Sequence, residues 1–234
     1  MANADLIVIQ GSNMAECHPV GFQWVTEAKQ RGAKVIHVDP RFTRTSAVAD
    51  KHITIRAGSD IVLLGALINH MIENELWFKE YVTHYTNAAH LISEGYSGPE
   101  DLDGLFSGYD DDLQGYNNET WQYEKDPEAA DGIAKDMTLQ HPRSVFQILK
   151  RHYSRYTPEA VEDMAGISQK DFKYLADAFA ENSTRDKTTC VAYALGWTQH
   201  SMGSQFIRTA AILQLLMGNM GRPGGGIMAL RGHA

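Results

Sequence analysis

The sequence has 234 residues, of which 43% are hydrophobic and 21% are charged, and its formal net charge is −8. This composition is ordinary for a soluble globular protein, and the length suits one large domain or two small ones. No apolar run approaches the roughly 18 residues that a membrane-spanning helix needs, so no direct membrane segment is expected. The N-terminal residues lack the basic stretch and cleavage site of an export signal. Cys17 and Cys190 are too few for a disulfide framework or a Cys-rich metal site, and free buried thiols are expected.

The first elements form a strand, a helix and a second strand. Residues 5–11 (DLIVIQG) are a continuous apolar run that ends in glycine, which is typical of a buried parallel strand. Apolar residues then recur at helical spacing as far as Gly32, which is suited to end a helix. Residues 34–40 (KVIHVDP) predict the second buried strand. This order indicates a right-handed βαβ unit with a parallel sheet.

The next elements extend the same pattern. Residues 51–58 (KHITIRAG) alternate between apolar and polar and predict a third, short strand. Asp60 is suited to cap a long helix that follows along residues 61–71. Another helix is expected near residues 76–83.

An acidic segment interrupts the regular elements. Residues 94–136 contain 13 Asp or Glu residues and 2 Lys, so this segment has a net charge of −11 and the rest of the chain about +3. The charge is therefore local, and it gives no support to nucleic-acid binding. Residues 94–140 have no sustained period, and we expect an ordered surface insertion with turns, held by Tyr and Trp anchors. Packing against other protein is one reason for such a long irregular stretch.

Regular elements resume after the insertion. Three helices are expected along residues 142–156, 157–166 and 168–182, and the first would have Pro142 in its N1 position. We expect these three helices to form one cluster. A fourth apolar strand along residues 188–196 and a final helix along residues 201–221 complete the pattern.

These elements predict an α/β fold with a parallel sheet of Rossmann-like type and helices on both faces, plus a helical cluster and a long irregular acidic insertion. Four segments are expected: a dinucleotide-binding α/β portion (1–93), the insertion (94–140), the helical cluster (141–186), and a returning strand and helix with a Gly-rich cofactor or substrate loop (187–234).

The predicted strand ends carry the candidate site, because ligands in open α/β sheets bind beyond the carboxyl ends of the strands. Gly11 after the first strand permits close backbone approach, and Ser12 and Asn13 follow with short polar groups. After the second strand, Asp39 occupies a position that commonly contacts a ribose or base, and Arg41 and Arg44 could meet phosphate. Gly58 and Asp60 follow the third strand, and Gly196 to His200 follow the fourth.

Structural alternatives remain open at each of these positions. Asp39 could be an ordinary loop aspartate, Asp60 an N-cap, and Gln199 and His200 helix caps. Taken together, the four strand ends favour a nucleotide-like ligand, although the GxGxxG fingerprint is missing. A catalytic pair of Cys17 and His18 is disfavoured, since adjacent side chains point in different directions.

Six segments in this order resemble the molybdopterin oxidoreductase family, and within it the large (alpha) subunits of respiratory-type formate dehydrogenases. The resemblance covers essentially the whole chain. The segments are residues 11–24 (GSNMAECHPVGFQW), 33–50 (AKVIHVDPRFTRTSAVAD), 55–67 (IRAGSDIVLLGAL), 139–159 (LQHPRSVFQILKRHYSRYTPE), 193–221 (YALGWTQHSMGSQFIRTAAILQLLMGNMG) and 224–233 (GGGIMALRGH).

The resemblance implies a cofactor and a set of contacts. Members of the family bind molybdenum or tungsten through two molybdopterin guanine dinucleotides, and the formate dehydrogenases oxidise formate to carbon dioxide and pass two electrons to an iron–sulfur cluster. The implied role of Arg231 is to lie over the metal and orient the formate carboxylate. The cofactor contacts expected from the strand ends and the resemblance together are Gly11, Asn13, Glu16, Cys17, His18, Asp39, Arg41, Gly58, Ser59, Asp60, Gly196, Thr198 and Gln199.

The roles implied for these contacts differ along the chain. The loop from Asn13 to His18 would contact one guanine dinucleotide, and Asp39 and Arg41 would hold its guanosine and phosphates together with residues 58–60. The loop from Gly196 to Gln199 would lie next to the pterin.

Other features of the family have no counterpart in this sequence. They are the selenocysteine or cysteine that ligates the metal, the histidine after it, and the Cys-rich segment that holds the iron–sulfur cluster. We therefore expect an internal fragment of a catalytic subunit that does not oxidise formate on its own.

The resemblance also implies partners and a location. The partners would be the remainder of the catalytic subunit and an iron–sulfur electron-transfer subunit, in a periplasmic, membrane-associated complex. Two alternatives stay open: a non-catalytic guanine-nucleotide-binding or assembly module that works with a separate chain, and a related molybdoenzyme with another substrate.

Overall fold

The computed structural model describes residues 1–230, which fall into two compact units. Within the described residues, the first unit comprises residues 1–78 and 156–230, and the second comprises Lys79–Arg155. The four segments expected from the sequence stay a prediction. Of the three helices expected as a cluster, the first belongs to the second unit and the other two belong to the first.

The sheet of the first unit has five parallel strands. Their bounds are β1 (Leu6–Gln10), β2 (Lys34–Val38), β3 (Lys51–Ile53), β4 (Thr189–Tyr193) and β5 (Gly226–Ala229). Their order in the sheet is β3-β2-β1-β4-β5. Leu6 pairs with Lys34 on one side and with Thr189 on the other. From β1 the chain continues to β2 and β3 on one side, and it later returns to β4 and β5 on the other side of β1. The switch point of this parallel α/β sheet therefore lies between β1 and β4.

The helices of the described residues are short to medium in length. Their bounds are α1 (Met14–Cys17), α2 (Pro19–Gln30), α3 (Arg44–Val48), α4 (Asp60–Glu73), α5 (Lys79–Tyr85), α6 (Val145–Tyr153), α7 (Pro158–Ala160), α8 (Gln169–Glu181), α9 (Leu195–Thr198) and α10 (Gly203–Leu216). Within residues 1–230, no helix combines the length and the apolar character that crossing a membrane requires.

Both faces of the sheet are covered, as expected for this fold class. Every residue of β1 is buried, and Ile7 and Ile9 belong to a core cluster with Phe22 and Val25 of α2. The even-numbered residues of β1 point to the opposite face. There the Gln10 side chain meets the beginning of α4, and α4 packs against α10.

The predicted start of α8 is confirmed, whereas the predicted start of α6 is wrong. Ser168 caps α8 as expected, since its hydroxyl accepts a hydrogen bond from the Asp171 amide. Pro142 is not in the N1 position of its helix. The helix begins at Val145, because Ser144 has extended backbone angles and its hydroxyl accepts a hydrogen bond from the Gln147 amide.

The Gly-rich end of the chain contains a strand that the sequence analysis did not predict. Residues 226–229 form β5 instead of continuing as a loop, and Cys190 of β4 pairs with Gly226. A buried amide network fixes this end. The Gln214 amide donates to the carbonyls of Thr189 (2.9 Å) and Gly226 (2.6 Å). Asn219 donates to Gln214 (2.8 Å) and accepts from the Thr189 amide (3.1 Å). The network holds β4 and β5 side by side.

The second unit contains α5, α6 and the acidic insertion, which is irregular as expected. The insertion folds through 3₁₀ turns at Pro99–Asp101 and Asn118–Trp121 and a small antiparallel hairpin, whose strands are Tyr109–Asp110 and Gly115–Tyr116. Trp121 is one of its anchors, since its indole N–H donates to the Ser107 carbonyl at 2.7 Å. Hydrogen bonds from Thr138 and His141 to the Asp136 carboxylate lower the pKa of Asp136 to about 2.

Stability is expected to fall as the pH falls from 7.5 to 5.5. Burial lowers the pKa of His37, His70 and His90 below the ordinary 6.5. Below pH 6.5 the unfolded chain therefore binds protons that the folded chain does not, and the unfolded state gains relative stability. Urea unfolding at pH 7.5, 6.5 and 5.5 measures this free energy. A free energy of unfolding that is constant or rises toward pH 5.5 would contradict the prediction.

Candidate functional site

A cavity of about 570 Å³ opens at the carboxyl ends of β1, β2 and β4. It lies at the switch point of the sheet, where α/β proteins bind their ligands, and its volume is in the range of small-molecule and cofactor sites. The lining residues are Gly11, Ser12, Asn13, Cys17, His18, Val38, Asp39, Pro40, Arg41, Thr43, Ile55, Ala57, Asp60, Ala194, Leu195, Gly196 and His200.

Two glycines bring the loops after β1 and β4 together at the base of the cavity. The Gly196 amide donates to the Gly11 carbonyl at 3.0 Å. Gly11 has a φ of +66°, and a Cβ atom on Gly196 would lie 2.5 Å from the Gly11 carbonyl oxygen. The close backbone approach expected at Gly11 is therefore made to the loop after β4, and this contact forms the base of the cavity.

The loop after β2 places a carboxylate and a guanidinium at the cavity. Asp39 Oδ1 accepts a hydrogen bond from the Arg41 amide at 2.9 Å, which is the local turn typical of a loop aspartate. Asp39 still lines the cavity, and the Arg41 side chain is exposed there. Arg44 turns to a different partner, since its Nε lies 3.2 Å from Glu16 Oε1. Of the two arginines of this loop, Arg41 lines the cavity and Arg44 does not.

Asp60 is not the N-cap of α4, contrary to one of the two interpretations of this residue. Ser59 occupies the N-cap position, and Asp60 is the first residue of the helix. The Asp60 side chain is 5% exposed, and its Oδ1 accepts hydrogen bonds from Gln10 Nε2 (2.7 Å) and Trp197 Nε1 (2.9 Å). These two buried donors hold the carboxylate away from the capping position. Asp60 thereby joins β1, α4 and α9 at the base of the cavity, which it also lines.

The cavity brings together most of the residues expected to contact a cofactor. Eight of the thirteen line it: Gly11, Asn13, Cys17, His18, Asp39, Arg41, Asp60 and Gly196. The other five are not part of the lining: Glu16, Gly58, Ser59, Thr198 and Gln199. Arg231 lies outside the described residues.

The two cysteines have different environments, contrary to the expectation that both are buried. Cys17 is exposed at the cavity, whereas Cys190 is buried in β4. Burial raises the pKa of Cys190 to about 12. Cys17 is therefore the thiol that reagents in solution can reach.

Two polar groups of the lining have no partner among the described residues. They are the hydroxyl of Ser12, a residue 5% exposed, and both ring nitrogens of His18. Shielded polar groups in proteins are normally hydrogen-bonded, so the hydrogen-bonding capacity of these three atoms is unused among the described residues. Together with the Asp39 carboxylate and the Arg41 guanidinium, they fit the hydroxyl, base and phosphate groups of a nucleotide. Ser12 was recognised in the sequence only as a short polar group after a strand.

The sequence model of the molybdopterin oxidoreductase family matches residues 1–233. The chain therefore belongs to the molybdopterin oxidoreductase family. This membership implies a molybdopterin cofactor, and it agrees with a ligand cavity at the switch point of a parallel sheet.

The curated relatives confirm the resemblance to formate dehydrogenases. The chain is 53% identical to the formate dehydrogenase major subunit of Haemophilus influenzae over 99% of its length. It is 52% identical to the formate dehydrogenase-O major subunit of Escherichia coli, also over 99%. The chain spans 22% of the length of each of these relatives.

A solved structure shows the same fold. Acetylene hydratase from Pelobacter acetylenicus matches 93% of the chain with a TM-score of 0.59 and 19% sequence identity, and the match covers 22% of that protein. At this level of identity the match shows the fold alone. It confirms the α/β class expected from the sequence.

Proposed function

We propose that this chain is part of the catalytic subunit of a formate dehydrogenase, and that its cavity holds a guanine dinucleotide portion of the molybdopterin cofactor. The observation that carries the proposal is the single cavity at the switch point, which gathers eight expected contact residues and two unpartnered polar groups. The relatives named as formate dehydrogenases support the reaction. Because the chain spans 22% of their length, the remainder of the catalytic subunit would complete the site.

The cavity residues would bind the nucleotide by complementary chemistry. Asp39, fixed by the Arg41 amide, would accept hydrogen bonds from the ribose hydroxyls or from the N–H groups of guanine. The permanently charged Arg41 would pair with the phosphates. The Ser12 hydroxyl and the His18 ring, which have no partner among the described residues, would supply further hydrogen bonds. These groups bind and orient the nucleotide, and they take no part in the chemical step.

The catalytic step would depend on groups beyond the described residues. When bound, the cofactor's molybdenum or tungsten would supply the two-electron oxidation of formate to carbon dioxide. Arg231 would pair bidentately with the formate carboxylate and orient it. The proposed partners are formate and an iron–sulfur electron-transfer subunit, in a periplasmic, membrane-associated complex. Contacts of Glu16, Gly58, Ser59, Thr198 and Gln199 with the cofactor stay predictions.

Cys17 provides a reporter for nucleotide binding. We expect the folded chain to show one fast-reacting thiol with the chromogenic disulfide DTNB, because Cys17 is exposed and Cys190 is buried. GDP contains the guanosine and two phosphates of the proposed ligand. At about ten times its Kd, GDP should slow the Cys17 reaction roughly tenfold by mass action. The measurement is the rate of thiolate release with and without GDP.

Two controls separate specific protection from other effects. Cys17→Ser should abolish the fast phase and leave only the slow thiol, which reacts fully after unfolding in urea. ADP should protect less than GDP if the cavity recognises guanine. A Cys17 rate that stays unchanged at every GDP concentration would count against the nucleotide site.

A further inference from the structure

Behind the cavity lining lies a buried histidine whose two ring nitrogens connect three chain segments. His37 in β2 is 0% exposed. Its Nε2 lies 3.0 Å from the Ser12 carbonyl oxygen after β1, and its Nδ1 lies 2.8 Å from Ser46 Oγ in α3. Ser46 Oγ also accepts a hydrogen bond from the Thr43 amide at 2.8 Å. Ser12 and Thr43 both line the cavity, so His37 joins two of its walls from behind.

The partners of His37 determine where the ring proton lies. A carbonyl oxygen only accepts hydrogen bonds, so Nε2 must carry the proton and donate it to Ser12. In the neutral ring, Nδ1 then accepts the hydroxyl proton of Ser46, whose oxygen accepts from Thr43. Every polar atom of this chain of hydrogen bonds is satisfied in this one arrangement. The neutral form agrees with the burial of the ring, which lowers the pKa of His37.

The chain of hydrogen bonds ends beside an unsatisfied group. The carbonyl of Ser12 is held by His37, whereas the buried hydroxyl of the same residue, which lines the cavity, has no partner among the described residues. A fixed carbonyl limits the rotation of the Ser12 backbone. The position of the Ser12 Cβ atom, from which the hydroxyl extends, is therefore fixed as well. On the other wall, Ser46 and Thr43 form a reciprocal cap that holds the start of α3.

We propose that His37, as the neutral ring protonated on Nε2, is a positioning residue that aligns Ser12 and the Thr43 loop for the nucleotide. This role rests on the proposed function of the cavity. His37 itself is not among the residues that line the cavity, so it would act through the residues that it holds. Preorganised walls improve affinity because the ligand does not have to order them.

Two substitutions separate this positioning role from a general contribution to stability. His37→Gln keeps one donor and one acceptor on a side chain of similar reach, whereas His37→Leu removes both. We expect the GDP Kd of the folded protein to rise about tenfold or more in His37→Leu, a loss of roughly 1.4 kcal/mol. In His37→Gln the Kd should stay within about threefold of the unsubstituted protein. Equal GDP affinities of the folded unsubstituted protein and His37→Leu would overturn the proposal.

A spectroscopic measurement tests the proposal without any ligand. The ¹⁵N chemical shifts of the His37 ring report which nitrogen carries the proton, and we expect a protonated Nε2 with an unprotonated Nδ1. The ¹³C shift of the Ser12 carbonyl should move in His37→Leu and return toward its original value in His37→Gln. The opposite tautomer, or a Ser12 shift that ignores both substitutions, would overturn the proposal.

The two readouts also separate the possible failures. If the unsubstituted chain does not bind GDP, the proposed function fails, and the ring tautomer and the Ser12 shift still decide the role of His37. If His37→Leu does not fold, Ser46→Ala takes its place, since it removes the hydroxyl that holds Nδ1 and leaves the ring. Ser46→Ala should then raise the GDP Kd and move the Ser12 shift, and no change in either would overturn the proposal.

Discussion

Replacing Asp60 with alanine is expected to lower the free energy of unfolding of the first unit by about 3 kcal/mol. The substitution leaves Gln10 Nε2 and Trp197 Nε1 without their common acceptor. Both donors are buried, and an unsatisfied buried donor costs about 1–3 kcal/mol. Urea unfolding followed by circular dichroism measures the loss of stability. In parallel, the GDP affinity of the folded variant shows whether the ligand cavity is intact.

The Asp60 prediction has two matched controls. Asp60→Asn keeps an acceptor oxygen of the same reach, so it should lose less stability than Asp60→Ala. Asp186 is an exposed aspartate of the same unit, and Asp186→Ala should change the free energy of unfolding by less than about 0.5 kcal/mol. If Asp60→Ala costs no more than Asp186→Ala, then the three-way contact of Asp60, Gln10 and Trp197 does not hold the base of the cavity.

Replacing Asn219 with alanine is the second substitution for which we expect a large loss, also about 3 kcal/mol. Asn219 is 0% exposed, and its amide contacts Thr189, Gln214 and Ser183. Removing the Asn219 side chain leaves the Thr189 backbone amide and the side-chain Oε1 of Gln214 without their partner. The loss is measured by urea unfolding, and amide hydrogen exchange of residues 226–229 should speed up because β5 loses its support.

An exposed asparagine provides the control for Asn219. Asn74 follows α4 and its exposed side chain bonds to His70 of that helix, so Asn74→Ala should cost less than about 1 kcal/mol. Slow exchange of β5 in Asn219→Ala, with the same free energy of unfolding as in Asn74→Ala, would show that the amide network does not hold the end of the chain.

Strands of the sheet could be predicted where neighbouring residues in the sequence are apolar. β1 is apolar from Leu6 to Ile9, β2 is apolar at Val35, Ile36 and Val38, and β1 is buried along its whole length. β5 was missed because Gly226 and its neighbours resemble a flexible loop. Its pairing depends on Gln214 and Asn219, whose partners in β4 lie 25 and 30 positions away. Such long-range hydrogen bonds leave no pattern in a single sequence.

The location of the candidate site could be predicted from the sequence, but its hydrogen bonds could not. The strand-end rule placed Asp39, Arg41 and Gly11 around one cavity, because the carboxyl ends of parallel strands share an edge. The rule could not predict that Asp60 Oδ1 accepts a hydrogen bond from Trp197, because the two residues lie 137 positions apart in the sequence. It also gave no reason to single out His37, whose role depends on partners in two other segments.

The most direct test of the central claim is an NMR titration of the ¹⁵N-labelled chain with GDP. The cavity at the switch point predicts that the largest amide shift changes fall on Gly11, Asn13, Asp39, Arg41 and Gly196, which all line it. The acidic insertion along residues 94–136 should show little change, because like charge repels the phosphates. The absence of shift changes at high GDP concentration, or changes confined to residues away from the cavity, would contradict the account.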